Sequence, residues 1–372
     1  MPKTMKDKRF TDTMLRWYAE NRRDLPWRRT RDPYAVWLCE IIMQQTRIAQ
    51  GTAYWERFME AFPTVERLAG ASEDEVLRLW QGLGYYSRAR NLHAAARQIV
   101  ALGGFPKDYD GIRALKGIGD YTAAAFGSIA FGLPVAAVDG NVYRVLARHY
   151  GIASVVGTTE AKKEFTALAQ ALLPEDRPGD FNQAMMDFGA LQCTPVSPAC
   201  LTCPLQETCD AFRTGRTALL PVKKSPAAVR TRRLHYVYPR WNGETAIRRR
   251  GPGDIWQGLW EPLLFEESAS QAPEGPAAPP SPLTGSGNDG LKSLFEEAVR
   301  SGRAVLLADN VKHQLTHRTL LADFYLWTLD TDGKNAPDKK PELPEGYVWI
   351  PEADLDRYGK SRLFEILLSR LP

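Results

Sequence analysis

The chain has 372 residues, 44% of them hydrophobic and 25% charged, which is enough for two globular domains with separate cores. Its 48 Lys and Arg against 44 Asp and Glu give a formal net charge of +4, a mildly basic balance that permits a polyanionic partner without requiring one. No stretch approaches the ~18 apolar residues of a membrane span, the first residues lack the apolar segment of a secretory leader, and the five cysteines fall in a pattern unlike a disulfide scaffold, so a soluble protein of a reducing compartment is expected.

From Phe10 to about Leu220 apolar residues recur at helical spacing, as at Met14, Trp17 and Tyr18 or at Val76, Leu77, Leu79 and Trp80. This part is predicted to be all-α. Turn signals at Asp32-Pro33, Phe62-Pro63, Gly82-Leu83-Gly84, Gly103-Gly104, Gly117-Ile118-Gly119, Gly132-Leu133-Pro134 and Pro178-Gly179 divide it into about ten helices. Within the run Val36-Trp37-Leu38-Cys39-Glu40-Ile41-Ile42, Cys39 is expected to pack in the core. Glu40 is the one acid of that run, and burial there would raise its pKa and keep a neutral carboxylic acid available near pH 7. In most helices such a glutamate only makes a local pair.

Further along, Leu115-Lys116-Gly117-Ile118-Gly119 lies between two helical segments. Two glycines one residue apart allow a tight turn that exposes backbone N–H groups at the start of the next helix, where a phosphate can be gripped without reading sequence. Taken alone, the pattern is also an ordinary helix–helix turn. Asp139, which follows the apolar run Val135-Ala136-Ala137-Val138 and precedes another helix, has the position of an N-cap.

Four thiols then crowd one loop, Cys193, Cys200, Cys203 and Cys209, at C-x6-C-x2-C-x5-C spacing. Four thiolates are what a [4Fe-4S] cube needs at its irons. Zinc sites usually pair two short knuckles and only one C-x2-C exists here, so zinc and paired disulfides are the weaker alternatives.

After this loop the composition changes. Phe212 to Arg240 holds eight Lys or Arg and no acid, and residues 213–230 are expected to form a basic linker. From Thr231 onward β-branched and aromatic residues alternate with polar ones, as in Leu234-His235-Tyr236-Val237-Tyr238, predicting a sheet with a few helices. Residues 267–290, rich in Pro, Ala, Ser and Gly, are expected to be a disordered insertion. A helix over 290–301 and an amphipathic one over 361–371 complete the expected elements.

The cysteine loop and the Gly-x-Gly hairpin resemble those of the endonuclease III superfamily. Further segments narrow the resemblance to the MutY-type adenine DNA glycosylases: Leu25-Pro26-Trp27-Arg28, Asp32-Pro33-Tyr34, Glu40 to Thr46, Gly82 to His93, Asp139-Gly140-Asn141-Val142 and Phe181 to Asp187. It covers essentially Phe10 to Pro221. The fold it implies is multidomain: an all-α helix-hairpin-helix glycosylase domain over 8–212 with the iron–sulfur loop at 193–209, the linker, and an α+β Nudix-like domain over 231–372.

The activity implied is removal of adenine from duplex DNA where it stands opposite 8-oxoguanine or guanine. Glu40 would protonate the departing base and Asp139 would stabilise the sugar cation, the division of labour used by glycosidases. Asn141 and Tyr121 would position them. Because Tyr121 stands where strand-cutting relatives carry a lysine, no Schiff base could form and the backbone would stay intact. The resemblance places Gln45, Thr46, Tyr85, Lys116, Gly117, Gly119, Thr316 and His317 against DNA, with Gln45 and Tyr85 filling the space of the extruded base. It assigns Arg23, Trp27, Arg28, Gln183 and Asp187 to the adenine pocket, and Cys193, Cys200, Cys203 and Cys209 to the cluster.

In the last third, Ile255-Trp256-Gln257-Gly258-Leu259-Trp260-Glu261-Pro262 resembles the C-terminal Nudix-like domain of these enzymes. A working Nudix hydrolase needs R-E-x-x-E-E-x-G to hold magnesium. Leu294-Phe295-Glu296-Glu297-Ala298-Val299-Arg300-Ser301-Gly302 lacks that order, so a recognition module is implied. Its reader would be His313-Gln314-Leu315-Thr316-His317, where threonine replaces the serine frequent in the family and keeps the hydroxyl. The expected protein is a cytoplasmic monomer, associated with the nucleoid in a bacterium and with no membrane. The competing readings are an endonuclease III type glycosylase/lyase, a non-catalytic DNA-binding or redox-sensing protein and a nucleotide pyrophosphatase; Tyr121, the pair Glu40 and Asp139, and the altered magnesium helix respectively oppose them.

Overall fold

A computed structural model describes residues 7–224, 229–266, 289–329, 340 and 342–372. The chain forms two compact units, one of Met1–Ala71 with Asn91–Ser225, the other of Ser72–Arg90 with Pro226–Pro372. Before the sheet region the described residues hold the helices α1 (Lys8–Asn21), α2 (Pro33–Ile42), α3 (Ile48–Ala61), α4 (Val65–Gly70), α5 (Glu73–Trp80), α6 (Ser87–Ala101), α7 (Tyr109–Ala114), α8 (Asp120–Phe131), α9 (Gly140–Tyr150), α10 (Thr159–Leu172), α11 (Pro178–Leu191) and α12 (Asp210–Arg213). Three of the twelve, α4, α7 and α12, have only four to six residues and are too short to show a periodicity.

Local chemistry places most boundaries. Asp32 caps α2, accepting N–H groups from Tyr34 at 3.2 Å and Ala35 at 3.4 Å, and Pro33 supplies a first residue that needs no hydrogen-bond partner. Gly132 and Gly151 end α8 and α9 in the left-handed conformation, at φ 69° and 68°. In the first unit α11 packs against α1, α8 and α9, and the core there includes Trp17, Val145, Leu146, Phe165, Phe181 and Phe188. Gly189 on α11 permits the closest part of this packing, because a Cβ there would stand 2.5 Å from Asn141 Cβ.

The linker expected at 213–230 is in part tied down. Leu220 is buried, Val222 accepts the N–H of Val156 at 2.9 Å, and Lys223 forms a β-bridge with Val156. Residues 225–228 lie outside the described set, as does nearly all of the insertion expected at 267–290. Its last two residues open a helix, α13 (Asp289–Arg300).

The second unit is a seven-stranded sheet of β1 (Arg230–Trp241), β2 (Glu244–Arg249), β3 (Trp260–Glu261), β4 (Leu263–Glu266), β5 (Ala304–Gln314), β6 (Arg318–Thr328) and β7 (Tyr347–Pro351). The order is β3-β2-β1-β6-β5, with β4 beside β1 and β7 beside β2. Among the described strands only β1 and β6 pair in parallel. Strand alternation gives each face its own core. Leu234, Tyr236, Tyr238, Leu320, Ala322 and Phe324 join Leu363, Phe364 and Leu367 of α14 (Arg362–Leu368), while Val237, Tyr325 and Trp327 join Phe295 and Ala298 of α13.

Within this unit α5 and the turn after it pack on the sheet elements. Arg249 pairs with Glu73 at 2.8 Å, Lys360 N–H donates to Gln81 at 3.0 Å, and Arg90 donates to the carbonyl of Gln257.

The Gly189 contact makes a stability prediction. Gly189→Ala should destabilise the protein by about 1–3 kcal/mol through forced separation of α9 and α11. Gly70→Ala, where an added Cβ meets nothing within 4 Å, should stay within about 1 kcal/mol of the parent. Urea unfolding of both variants tests the contrast.

Candidate active site

Four helices of the first unit bring the expected chemical groups together. Glu40 lies near the end of α2, whose neighbours Tyr34, Ala35, Val36, Trp37, Leu38, Cys39, Ile41 and Ile42 are all buried. The residue is only partly exposed, and its carboxyl accepts no hydrogen bond from a described residue. Burial raises its pKa from 4.5 to about 7, the positive charge of Arg28 opposes that rise, and the negative charge of Asp139 adds to it.

Asp139 has the opposite surroundings. It caps α9, one carboxylate oxygen accepting the N–H groups of Asn141 and Val142, each at 2.9 Å, and the other the Asn141 side-chain amide at 2.7 Å. The capping role and a chemical role are compatible, because the three donors fix the carboxylate in place. Tyr121, in the first turn of α8, donates its hydroxyl to Met186 Sδ at 2.9 Å. Burial is the main cause of its raised pKa, and the charges of Glu40 and Asp139 add to it.

The expected adenine-pocket residues divide into two groups. Asp187 is fully buried on α11 and clamps both arginines: one oxygen accepts Arg23 Nε at 2.8 Å and Arg28 Nη2 at 2.9 Å, the other Arg28 Nη1 at 2.5 Å. The two guanidinium groups hold Asp187 below the usual carboxylate range despite its burial. Arg23, Arg28 and Gln183 border one polar cavity together with Tyr18, Arg22 and Arg177, a cavity that neither Glu40, Asp139 nor Trp27 lines. Trp27 is buried instead, its ring edge-on to Trp55 at 5.8 Å.

The hairpin forms as its glycines require. Gly117 has φ 77°, a Cβ there would collide with Asn91, and Gly119 caps α8 without a side-chain acceptor. Lys116 is exposed and its N–H donates to Gln98 at 2.7 Å. Asp120 would repel a phosphate at this helix start, but Arg113 and Lys162 each pair with it at 2.5 Å. Gln45 and Tyr85, the residues expected to enter DNA, both carry positive φ, 54° and 47°. Non-glycine residues held there are strained, and such strain collects at functional sites. Thr46 donates to the Gln44 carbonyl at 3.3 Å. In the second unit the Tyr85 hydroxyl shares a hydrogen bond with Thr316, and His317 is exposed at the same turn.

The sequence reading missed Arg144 and Arg148, which stand one helical turn apart on α9 and are both buried. Arg144 donates to Asn141 Oδ1 at 2.7 Å, to the Gly189 carbonyl at 2.6 Å and to the Cys193 carbonyl at 2.7 Å. Arg148 donates to the carbonyls of Thr194 at 2.7 Å, Pro195 at 3.1 Å and Leu220 at 3.0 Å, and to Cys193 Sγ at 3.4 Å. Two arginines on the apolar face of one helix were the available signal, since such groups are buried only when paired. The four loop cysteines are all free thiols and line one cavity with Val145, Phe188 and Leu205. No group of three or more His, Cys, Asp or Glu among the described residues is arranged around a single ion.

Comparison with known proteins agrees with this architecture. Residues 38–174 match the model of the HhH-GPD superfamily of base excision DNA repair proteins, and residues 235–370 match the NUDIX domain. A solved structure of a thermostable thymine-DNA glycosylase is 32% identical, with a TM-score of 0.53 over 56% of this chain and 97% of that one. Helix order, hairpin and match make the chain a helix-hairpin-helix glycosylase of the base excision repair superfamily. An adenine DNA glycosylase of Buchnera aphidicola from Baizongia pistaciae is 33% identical over 315 residues, 84% of either chain, and the human adenine DNA glycosylase is 45% identical over 213 residues, 54% of this chain. The chain belongs to the adenine DNA glycosylase family. It spans 39% of the length of the human relative and 64% of the rat one.

The environment of Glu40 predicts a pH effect on stability. Its pKa is raised from 4.5 to about 7 on folding, so its contribution is full below the lower value and is lost as pH rises through the upper one. Glutamine does not titrate. Glu40→Gln should therefore be more stable than the native protein at pH 8 by roughly 1–3 kcal/mol, with the gap closing toward pH 5. Parallel melting curves at the two pH values would contradict this account of the site.

Proposed function

We propose that the protein is a monofunctional adenine DNA glycosylase acting on duplex DNA in which adenine faces 8-oxoguanine or guanine. The observation that carries the proposal is the pair of unlike carboxyls: Glu40, raised to about 7 by burial, and Asp139, tied by three N–H donors at a helix start. Cleaving deoxyribose C1′ from adenine N9 needs an acid for the departing purine and a negative group for the sugar cation. Glu40 gives its proton to adenine N7. The C1′–N9 electron pair leaves with the base, Asp139 faces the resulting oxocarbenium ion, and Glu40, now ionised, takes a proton from the water that adds to C1′. Asn141 keeps Asp139 in place, and Tyr121 closes the site between the two carboxyls without forming an imine.

Adenine inside a duplex is unreachable, so Gln45 and Tyr85 occupy the space it leaves and Thr46 supports the entry. The extruded base is held by Trp27, Arg23, Arg28 and Gln183, the arginines being oriented by Asp187. Gly117 and Gly119 grip the backbone through main-chain N–H groups and Lys116 through its exposed side chain, its own N–H being taken by Gln98. Residues 8–212 carry the chemistry and 231–372 the recognition, with 213–230 joining them, and Thr316 and His317 read the base opposite adenine. The protein works as a monomer in the cytoplasm, on the nucleoid if bacterial.

Cys193, Cys200, Cys203 and Cys209 fit a [4Fe-4S] cluster: four reduced thiols border one cavity, with a buried guanidinium beside Cys193. A cube spreads its thiolates over four irons, so they need not converge on one ion. When bound, the cluster ties together a loop with little core of its own.

The deciding assay uses labelled duplexes carrying adenine opposite 8-oxoguanine, with thymine glycol duplexes and an 8-oxo nucleoside triphosphate as rival substrates. Abasic strands that break only after alkali are expected from the first alone, and Glu40→Gln should lower single-turnover release by a factor on the order of 10² to 10⁴ while still binding the duplex. Turnover of either rival in preference would overturn the proposal. Purified protein should be brown with about four irons per chain, and Cys200→Ser should be insoluble or unable to bind DNA. Stoichiometric zinc in a colourless protein would refute the cluster.

A further inference from the structure

We infer that Asp323, backed by His235 and Arg233, is a positioning residue that sets which face of β5 meets the core and so aims the turn at Thr316. This rests on the reading of 313–317 as the recognition turn. β5 carries two irregularities against β6. Leu306 pairs with Tyr325 and Ala308 with Phe324, then Val311 with Ala322, so Asp309 and Asn310 together stand opposite the single residue Asp323. One residue too many on one strand is a β-bulge.

The bulge has an identifiable support. Asn310 adopts φ 49°, and its N–H, turned out of the ladder, donates to Asp323 Oδ1 at 2.7 Å. The other oxygen of Asp323 lies 3.2 Å from His235 Nδ1 and 3.3 Å from Arg233. His235 is the parallel partner of Asp323 on β1, and both are buried. A buried carboxylate fixed on one side by two partners is thus a rigid acceptor for a strained N–H on the other.

A shift of one residue turns every later side chain to the opposite face. With the bulge, Val311, His313 and Leu315 face the α14 side: Val311 and Leu315 pack in its core, and His313, opposite Leu320, lies 5.8 Å from the Trp256 ring. Without it, Lys312 would stand opposite Leu320 and His313 would turn away. Asp309 would also face Asp323, carboxylate against carboxylate. The turn that follows is closed by the Leu315 N–H to the Arg318 carbonyl at 2.8 Å and presents Thr316 to Tyr85. Its aim therefore depends on the parity of β5, which the Asp323–Asn310 hydrogen bond holds.

The test compares single-turnover adenine release opposite 8-oxoguanine with release opposite guanine. Asp323→Ala should lower that ratio by about tenfold, the scale of one lost base contact, while release opposite guanine stays near the native rate. Asp323→Asn keeps an acceptor for Asn310 and should restore most of the ratio. Should the alanine variant not fold, the exposed Asn310 carries the same test: Asn310→Gly tolerates the positive φ and should keep the ratio, while Asn310→Val resists it and should lose it. An unchanged ratio in Asp323→Ala, equal ratios in the two Asn310 variants, or a proportional loss on both duplexes would overturn the inference. No adenine release by the native protein on either duplex would instead sink the functional reading, and the inference with it.

Discussion

Two carboxyl groups are given opposite hydrogen-bonding surroundings, Glu40 without donors among the described residues and Asp139 with three, and much of the first unit follows from that requirement. Glu40 can be a neutral acid near pH 7 only if its helix is otherwise apolar and enclosed, which is the composition of Pro33–Ile42. Asp139 needs donors instead, and a helix start provides them without burying a countercharge. Arg28 stands between the two demands. It is near enough to temper the rise at Glu40, yet its guanidinium is committed to Asp187, a buried carboxylate shared with Arg23. Its positive charge is thereby balanced, and Arg28 can act on Glu40 without abolishing its neutral form.

The same helix that begins at Asp139 also holds the cysteine loop. Arg144 and Arg148 donate to the carbonyls of Cys193, Thr194 and Pro195, groups that a loop of this kind leaves without strand or helix partners. Because Arg144 also holds Asn141, and Asn141 holds Asp139, the loop and the Asp139 carboxylate share one hydrogen-bonded chain within the first unit. Gly189 lets α11 come close enough to α9 to offer its carbonyl to Arg144. Small residues and buried arginines thus do complementary jobs, one removing a steric barrier and the other satisfying the main chain.

In the second unit polar residues are buried where backbone irregularity needs support. Glu261, buried on β3, takes Arg248 at 3.0 Å and also Arg250, which binds Asp254 at 2.5 Å; Asp254 in turn pairs with Arg232 at 2.7 Å. These pairs hold the segment between β2 and β3, where Trp256 has φ 60°. Asp323 does the same for β5. In both places charge is buried with its partners, which favours one arrangement of the chain over neighbouring registers.

The sequence by itself determined the class of each unit and marked the residues proposed to carry the chemistry. Helical periodicity, a Gly-x-Gly turn, four clustered cysteines, an acid in an apolar run and an Asp at a helix start are local features, and each follows from spacing or backbone preference alone. Strand alternation likewise announced the sheet. What it could not reveal were relations between distant segments: Ser72–Arg90 grouping with the sheet unit, Asp187 gripping Arg23 and Arg28, Arg144 reaching Cys193, and the bulge at Asp309–Asn310. Short helices such as Asp210–Arg213 carry no period, a buried arginine resembles an exposed one in a helical pattern, and a bulge is defined only by the strand opposite it. Those features exist because buried charges and main-chain groups had to find partners, and only the folded chain decides which partners are within reach.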